Sequence, residues 1–264
     1  MELFRLKTGK IMLKMDLLSV LERAFESNGM SLQTDDVVVI ASKVVALSQG
    51  REVSLEDIVP SERALSLKKT RYGLGREDPR FIELVLREAD QLIDGPMLLT
   101  LKDTTFIASA GIDRSNAPEG KAILWPSEPW EAAWKLYEDM KARFRVRRFG
   151  LIITDSQCQP LRWGTTGLAL SWAGFSGVED LRGKKDIYGR PLQVSQKAVA
   201  DNLSSAAQIL MGEGNEQVPF VVVRGAPVHF NSHKPDKKSA VVAPSKCLYS
   251  GLYGSALKGY RPHQ

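Results

Sequence analysis

An apolar run that ends near a carboxylate is the feature that most limits how this chain can fold. Leu151, Ile152 and Ile153 follow Gly150, and Asp155 comes two residues after the run. A short apolar, β-branched run of this kind is typical of a buried strand. The sequence therefore predicts that Asp155 is presented at the end of such a strand.

Two more acidic turns accompany this strand. Apolar residues at helical spacing predict a long helix over residues 195–211, and Glu213 follows it between two glycines. Asp113 comes just past another predicted strand. Carboxylate oxygens suit Mg²⁺ or Mn²⁺, which also accept substrate phosphates as ligands. The alternatives are that Asp113 and Asp155 only start turns or cap helices, and that Gly212 is the glycine that ends the helix.

The remaining patterns predict a mixture of helices and strands. Helices are predicted over residues 16–27, from the cap at Asp78-Pro79 through Leu92, and over 129–143; strands over 37–41, 168–171 and 219–223; and a hairpin of 97–101 and 105–109 around Lys102-Asp103. Because no regular βαβ order emerges, the fold class is α+β, or irregular mixed α/β, rather than a doubly wound sheet. Residues 231–264 are predicted to form a polar, flexible tail or an oligomer contact.

Length and composition exclude several classes. The 264 residues suffice for one large domain or two lobes around a cleft, and the net charge of +5 suits either solubility or an anionic ligand. Basic runs with interleaved aromatics, which would indicate nucleic-acid binding, are absent, as is an apolar run long enough to span a membrane. Cys158 and Cys247 are too few for a disulfide framework and indicate a reduced, cytoplasmic setting.

Five segments together resemble the coenzyme F420-0:L-glutamate ligase (γ-glutamyl ligase) family. They are A-G-I-D-R-S-N (residues 110–116), I-I-T-D-S (152–156), K-D-I-Y-G-R (185–190), V-A-D-N-L (199–203) and L-M-G-E-G-N-E-Q-V-P (210–219). The resemblance implies a two-lobed enzyme over residues 1–230, a homodimer, that uses GTP and two divalent cations, with K⁺ as a further candidate ion. Such an enzyme joins the amine of L-glutamate to a carboxylate of an anionic acceptor through an acyl phosphate.

The resemblance also implies where the ligands are bound. Catalytic and metal-binding roles fall on Asp113 and Asp155, with Ser156 and Glu213 as further metal ligands. The implied GTP contacts are Lys10, Ile11, Met12, Leu13, Ser42, Lys43, Asn116, Ile209, Leu210, Met211, Gly212, Glu213, Gly214, Asn215 and Glu216. Arg162, Lys185 and Arg190 are the candidate ligands of the anionic acceptor or of glutamate, since arginine and lysine suit carboxylate and phosphate.

The chain departs from the family pattern near these positions. Leu47 stands where many members have a nucleotide-contacting lysine, with Lys43 as a possible substitute, and Cys158 and Gln159 stand where a glycine and an arginine are usual. The default acceptor is the deazaflavin precursor F420-0. These changes leave two alternatives to a ligase that acts on it. One is a ligase that acts on a folate, whose terminal glutamate can be extended by the same chemistry. The other is a non-catalytic homologue that binds a nucleotide or a cofactor.

Overall fold

The computed structural model describes residues 1–67, 78–93, 98–253 and 257. These residues form two compact units. Unit 1 contains Met1–Gly50 and Pro126–Ala240, and unit 2 contains Arg51–Trp125 together with the described residues from Val241 onward. The predicted hairpin residue Met97 and the last residues of the predicted tail lie outside the described residues.

The described residues form twelve strands and seven α-helices, which confirms a mixed α+β fold. In chain order they are β1 (Glu2–Leu6), α1 (Leu17–Ser27), β2 (Val37–Ala41), α2 (Ser42–Ser48), β3 (Glu52–Ser54), α3 (Glu62–Ser66), α4 (Pro79–Glu88), β4 (Gln91–Ile93), β5 (Leu99–Lys102), β6 (Thr105–Ala108), β7 (Lys121–Ile123), α5 (Pro129–Phe144), β8 (Gly150–Cys158), β9 (Thr165–Ala173), β10 (Val178–Asp180), β11 (Gln196–Ala198), α6 (Val199–Met211), β12 (Phe220–Arg224) and α7 (Ser250–Tyr253).

Unit 1 is organised around a five-stranded sheet in the order β1-β12-β2-β8-β9, in which only β2 and β8 run parallel. One row of paired residues crosses four of these strands: Leu6 pairs with Phe220, Phe220 with Ile40, and Ile40 with Ile153. The segments after β1 and β2, the segment before β12 and the second half of β8 therefore all lie beyond this row, at one end of the sheet.

Helix α6 covers one face of this sheet. Its residues Val199, Leu203, Ala207 and Met211 are buried in a core with strands β2, β8, β9 and β12. Apolar spacing from Val199 and Leu203 also predicts Ala206 and Leu210 on the buried face, but these two are only half-buried, and Ala207 and Met211 are buried instead.

A glycine lets α6 approach β9 closely. A Cβ built on Gly167 would lie 2.4 Å from the backbone carbonyl of Ser204 in α6. The Ser205 hydroxyl donates to the Gly167 carbonyl at 2.9 Å, so the contact also carries a hydrogen bond. Any side chain at position 167 would separate the helix from the strand.

Unit 2 contains the three-stranded sheet β4-β5-β6, the pair β3-β7 and helix α4. The turn of the β5-β6 hairpin is Asp103-Thr104, both left-handed, as a two-residue hairpin turn requires. In the segment predicted to be a flexible tail, the ring of Tyr253 lies 4.6 Å from that of Phe106, and Leu257 is buried beside Ile93. The predicted boundary at residue 230 stays a prediction.

Several predicted element boundaries are wrong; strand β9, for example, begins at Thr165 rather than at Leu168. Helix α4 ends at Glu88, and Leu92 belongs to β4, because the Asp90 amide already donates to Leu101 and begins the pairing with β5. Helix α6 begins at Val199, because residues 196–198 pair with β10. Asp155 does not end its strand: β8 continues to Cys158, paired with β9 throughout.

Candidate active site

The predicted site segments of unit 1 lie together at the end of the sheet beyond the row of paired residues from Leu6 to Ile153. Ala41 pairs with Thr154 in the parallel strands β2 and β8, so Ser42 and Asp155 each follow directly from that pair. The Thr8 amide donates to the Gln217 carbonyl at 2.8 Å, which joins the segment after β1 to the one before β12. Residues far apart in the sequence thus meet at one end of the sheet.

A β-bulge determines how β8 presents its carboxylate. The register between β8 and β9 shifts between Ile153 and Thr154, so the polar half of β8 continues in a changed alignment. Asp155 is half-buried there, and its Oδ1 accepts the backbone amide of Ser156 at 2.7 Å. The apolar run supplies the buried half of the strand, and the polar half beyond the bulge supplies the functional groups.

Glu213 is the centre of a polar cluster on unit 1. Its Oε1 accepts hydrogen bonds from the hydroxyls of Ser156 (2.7 Å) and Thr165 (2.9 Å) and from the amide of Gln208. The Gln208 amide also donates to Thr165 Oγ1 at 2.9 Å and to Ser156 Oγ at 3.2 Å. The cluster therefore joins β8, β9, the last turns of α6 and the glycine turn that follows it.

Thr165 and Gln208 are site residues that the sequence did not reveal. Gln208 carries a polar amide on a helix selected by its apolar spacing, and Thr165 lies before the predicted start of its strand. The sequence contains only a weak sign of the role of Gln208, which is a polar residue in the last turn of a helix that ends at a glycine turn.

The glycine turn after α6 needs glycine at its first position. Gly212 has φ 70° and ψ −179°, a conformation open almost only to glycine. A Cβ there would lie 2.2 Å from Cδ of Glu216, whose Oε2 accepts the Gly214 amide at 2.8 Å. Gly212 therefore ends the helix, as one of the two interpretations of the sequence predicted, and the turn that it begins also positions Glu213.

Asp113 lies in unit 2, where it forms an isolated bridge with Ile123. Its carboxylate accepts the backbone amide of Ser115 at 2.6 Å and the Ser115 hydroxyl at 2.8 Å, which are the bonds of a turn-starting aspartate. The neighbouring Arg114 guanidinium lies 4.4 Å from the ring centre of Phe81.

The turn before Asp113 is strained. Ser109, Ala110 and Gly111 have φ values of 53°, 54° and 68° in succession. Ala110 is fully buried, and its amide donates to the Thr100 hydroxyl at 2.8 Å, which helps to hold this backbone in place. Left-handed non-glycine residues cluster at functional sites, so the strain singles out the segment that carries Asp113.

The other proposed nucleotide contacts differ in exposure. Lys10, Met12, Leu13, Ile209 and the turn residues 213–216 are exposed, Ile11 and Lys43 are half-buried, and Ser42 is buried at the start of α2. Asn116 lies in unit 2 and is left-handed and exposed. Leu47 is buried in α2, so it is a packing residue at the position where a lysine was expected.

Ion pairs divide the cations between β8 and α6 into two groups. Arg182 pairs with Asp180, while Lys184 and Lys197 both pair with Glu179 and lower the pKa of its carboxyl to about 2. In the described part of the chain, the other cations of this region have no carboxylate partner; they are Arg162, Lys185 and Arg190. These are the three residues predicted to bind an anionic substrate.

The donors in unit 1 suit hard divalent cations. Asp155, Ser156 and Glu213 offer only oxygen atoms, with two carboxylates among them. Among the described residues no group of three or more His, Cys, Asp or Glu side chains is placed to hold a metal. Two carboxylates fit an ion such as Mg²⁺ that completes its coordination with water and substrate phosphates.

The mixed sheet, the glycine turn and the cluster around Glu213 make this end of unit 1 a candidate active site. The sequence profile of the F420-0:Gamma-glutamyl ligase family matches residues 5–225. The chain belongs to this family, and its class is that of ligases that form an amide bond. Both the family and the enzyme class predicted from the sequence are confirmed.

Relatives share long stretches of sequence with the chain. The coenzyme F420:L-glutamate ligase of Halorubrum lacusprofundi is 40% identical over 197 residues, which is 73% of this chain and 76% of the relative. That of Archaeoglobus fulgidus is 38% identical over 201 residues, 75% and 79% of the two chains. That of Methanothermobacter thermautotrophicus is 36% identical over 215 residues, 80% and 83% of the two chains.

The helices give no sign of a membrane span. Among the described residues, none of them is long and apolar enough to cross a bilayer. Cys158 is exposed and Cys247 half-buried, and neither forms a disulfide.

Proposed function

We propose that this chain is a GTP-dependent γ-glutamyl ligase that adds L-glutamate to a carboxylate of an F420-0-like acceptor. Family membership supports the ligase class, and the observation that carries the proposal is the convergence of β8 and the glycine turn at Ser156 and Glu213. Carboxylates and exposed turn amides at one end of a sheet are suited to a nucleotide triphosphate and its cations.

The proposed reaction has two steps. An oxygen of the acceptor carboxylate takes the γ-phosphoryl group of GTP, which releases GDP and leaves an acyl phosphate. The amine of L-glutamate then attacks the acyl carbon, inorganic phosphate leaves, and the amine gives up a proton as the amide forms. Both steps depend mainly on orientation and charge stabilisation rather than on a covalent protein intermediate.

The chain's own residues hold the reacting groups in this proposal. Asp155, Ser156 and Glu213 of unit 1 would hold Mg²⁺ or Mn²⁺, and the metal-binding role of Asp113 stays a prediction of its own. When bound, such cations neutralise charge on the phosphates during the transfer. The oxygen-only donor set of unit 1 fits this role.

The anionic substrates would be oriented by Arg162, Lys185 and Arg190, which have no carboxylate partner among the described residues. Their neighbours Arg182 and Lys184 already pair with carboxylates, whereas these three cations are available to an anionic ligand. Guanidinium groups bind carboxylate and phosphate in a bidentate manner.

The test is an assay of product formation by mass spectrometry. Purified protein, GTP, Mn²⁺ and isotopically labelled L-glutamate are incubated with the deazaflavin precursor F420-0 or with monoglutamyl tetrahydrofolate. Glutamylated F420-0 supports the proposal, and product with folate alone supports the second acceptor, which the changes at Leu47, Cys158 and Gln159 motivate. No product with either acceptor, from a folded protein, contradicts the proposal.

The assembly and the nucleotide are separate parts of the proposal. We propose a homodimer, which light scattering on the purified chain would test. Replacing GTP with ATP in the same assay would test the nucleotide, and omitting K⁺ would test that ion.

A further inference from the structure

The loop that joins β8 to β9 carries a completely exposed tryptophan. Trp163 is 102% exposed, whereas Trp125 and Trp172 are buried and Trp130 and Trp134 are half-buried. Within the described residues the Trp163 ring contacts neither another aromatic ring nor a cation. An indole offers a large apolar face that is normally buried against the protein or a partner.

This loop is held in a defined shape. The Gln159 amide donates to the Thr166 hydroxyl at 3.1 Å, and the Arg162 backbone amide donates to the Gln159 carbonyl at 3.3 Å. Leu161 has φ 58° and Gly164 has φ 94°, so the turn uses two left-handed positions. Trp163 is therefore presented from a hydrogen-bonded turn rather than from a loose segment.

The loop is also directly attached to the candidate active site. Thr165, two residues after Trp163, donates to Glu213 Oε1 at 2.9 Å. Two residues of extended chain span at most about 7 Å, so the Trp163 backbone lies at the rim of the Glu213 cluster. Arg162, adjacent to Trp163, has no carboxylate partner in the described part of the chain. An exposed aromatic face and an unpaired cation thus adjoin the site.

We propose that Trp163 stacks on the planar heteroaromatic ring of the acceptor, and that Arg162 pairs with the anionic chain that joins this ring to the reacting carboxylate. The inference rests on the proposed ligase function and makes Trp163 a specificity-determining residue for the acceptor. An acceptor of this class has its ring far from the carboxylate that reacts. The ring therefore belongs at the rim of the site while the carboxylate reaches the phosphoryl group near Glu213.

The kinetic test compares Trp163→Ala, Trp163→Phe and the matched control Leu161→Ala. Leu161 lies in the same loop and is 105% exposed, but its aliphatic side chain cannot stack as an aromatic ring does. Trp163→Ala should raise the acceptor KM roughly 10-fold, equivalent to about 1.4 kcal/mol, with the KM values for GTP and glutamate unchanged. Trp163→Phe should retain most of the affinity, and Leu161→Ala should behave as the parent chain.

Three results would overturn the inference: an unchanged acceptor KM in Trp163→Ala, a rise in the KM for GTP instead, or an equal effect of Leu161→Ala. A binding measurement decides the matter independently of turnover. Acceptor added without GTP or glutamate should quench the tryptophan fluorescence of the parent chain more than that of Trp163→Phe. If the parent chain makes no product but this difference is present, the proposed reaction fails while the stacking site stands. If product forms and the difference is absent, only the stacking site fails.

Discussion

The Ser156 hydroxyl donates a 2.7 Å hydrogen bond to Oε1 of Glu213, 57 residues away in the sequence. Thr165 and Gln208 donate to the same oxygen. This one carboxylate oxygen therefore holds the end of β8, the start of β9 and the turn after α6 in a fixed arrangement. A cation bound at Glu213 would replace some of these donors, so ligand binding and local order are coupled at this atom.

Removing the charge of Glu213 should weaken metal binding. Glu213→Gln keeps the shape of the side chain but offers a neutral oxygen. We therefore expect the affinity for Mn²⁺ in the presence of GTP to fall at least about 100-fold. Loss of a residue that only orients a metal ligand usually costs about 10- to 100-fold. Isothermal titration calorimetry measures this change. Glu119→Gln, an exposed glutamate of unit 2, is the control, and equal Mn²⁺ affinity in both variants would remove Glu213 from the site.

Gly212→Ala should impair turnover far more than Gly214→Ala, although both glycines lie in the turn predicted to contact the nucleotide. The Gly212 conformation costs a non-glycine residue about 1–3 kcal/mol, and the added Cβ would also overlap the Glu216 carboxyl at 2.2 Å. At Gly214 the nearest atom to a new Cβ is 3.4 Å away, an ordinary contact. Initial rates of the two purified variants provide the comparison, and similar rates would show that the turn has no influence on catalysis.

The parts of the fold that follow from one buried face could be predicted from the sequence. Strand β2 is a β-branched run behind Asp36, and helix α1 begins after the cap Asp16, whose side chain accepts the Ser19 amide. Local patterns suffice for such elements because burial and capping are set by residues nearby in the chain. Helix α2 was missed because it has only seven residues, five of them buried, and so lacks a polar face.

The site could be predicted only in part. Asp155 and Glu213 stand out in the sequence, but the extent of β8 beyond Asp155 depends on its pairing with β9, which no local pattern shows. The contact between Thr165 and Gln208 spans 43 residues and depends on Gly167 bringing β9 against α6. The interactions that assemble the site are long-range, and one sequence does not reveal them.

Unit 2 should lose stability in acid through Glu83. Hydrogen bonds from the Ser61 hydroxyl and backbone amide, and then from Arg87, lower the pKa of Glu83 from 4.5 to about 2. Because the folded-state pKa is the lower one, this contribution to the free energy of unfolding is complete above about pH 4.5 and is lost as the pH falls toward about 2. Glu83→Gln should lower the stability at pH 7 and flatten this part of the pH profile.

Urea unfolding at a series of pH values between 2 and 7 measures the effect of Glu83. Glu119→Gln again serves as the control because it lies exposed in the same unit. A Glu83→Gln profile parallel to that of the parent chain would show that another group causes the acid sensitivity.

Asp201 should tolerate asparagine better than alanine. Its Oδ1 accepts the buried Ala169 amide at 3.0 Å, opposite Thr154 at the bulge, and burial raises the pKa of this carboxyl. Asp201→Asn keeps the acceptor and removes the charge, whereas Asp201→Ala leaves an unsatisfied amide that costs about 1–3 kcal/mol. Because the pKa of Asp201 is raised in the folded state, its contribution to the free energy of unfolding is greatest below the unfolded-state pKa of 3.8. This contribution falls as the pH rises through the folded-state pKa. Asp201→Asn should abolish this pH dependence.

Chemical denaturation of the two Asp201 variants at pH 7 tests their order of stability. Equal loss in both would mean that the carboxylate charge, rather than the hydrogen bond to Ala169, is what the fold requires.

Gly167→Ala should destabilise unit 1 and disturb the site at the same time. The new Cβ would lie 2.4 Å from the Ser204 carbonyl, a backbone atom that can move only if α6 separates from β9. Overpacking of this kind costs about 1–3 kcal/mol, and the separation would also pull Gln208 away from Thr165, which lie 2.9 Å apart. Gly251→Ala is the matched control because a Cβ there meets nothing within 4 Å. We expect a lower melting temperature and a reduced turnover only in Gly167→Ala. A stable but inactive Gly167→Ala variant would mean that helix α6 shifts without unfolding of unit 1. A stable and active variant would show that the close approach of α6 to β9 is dispensable.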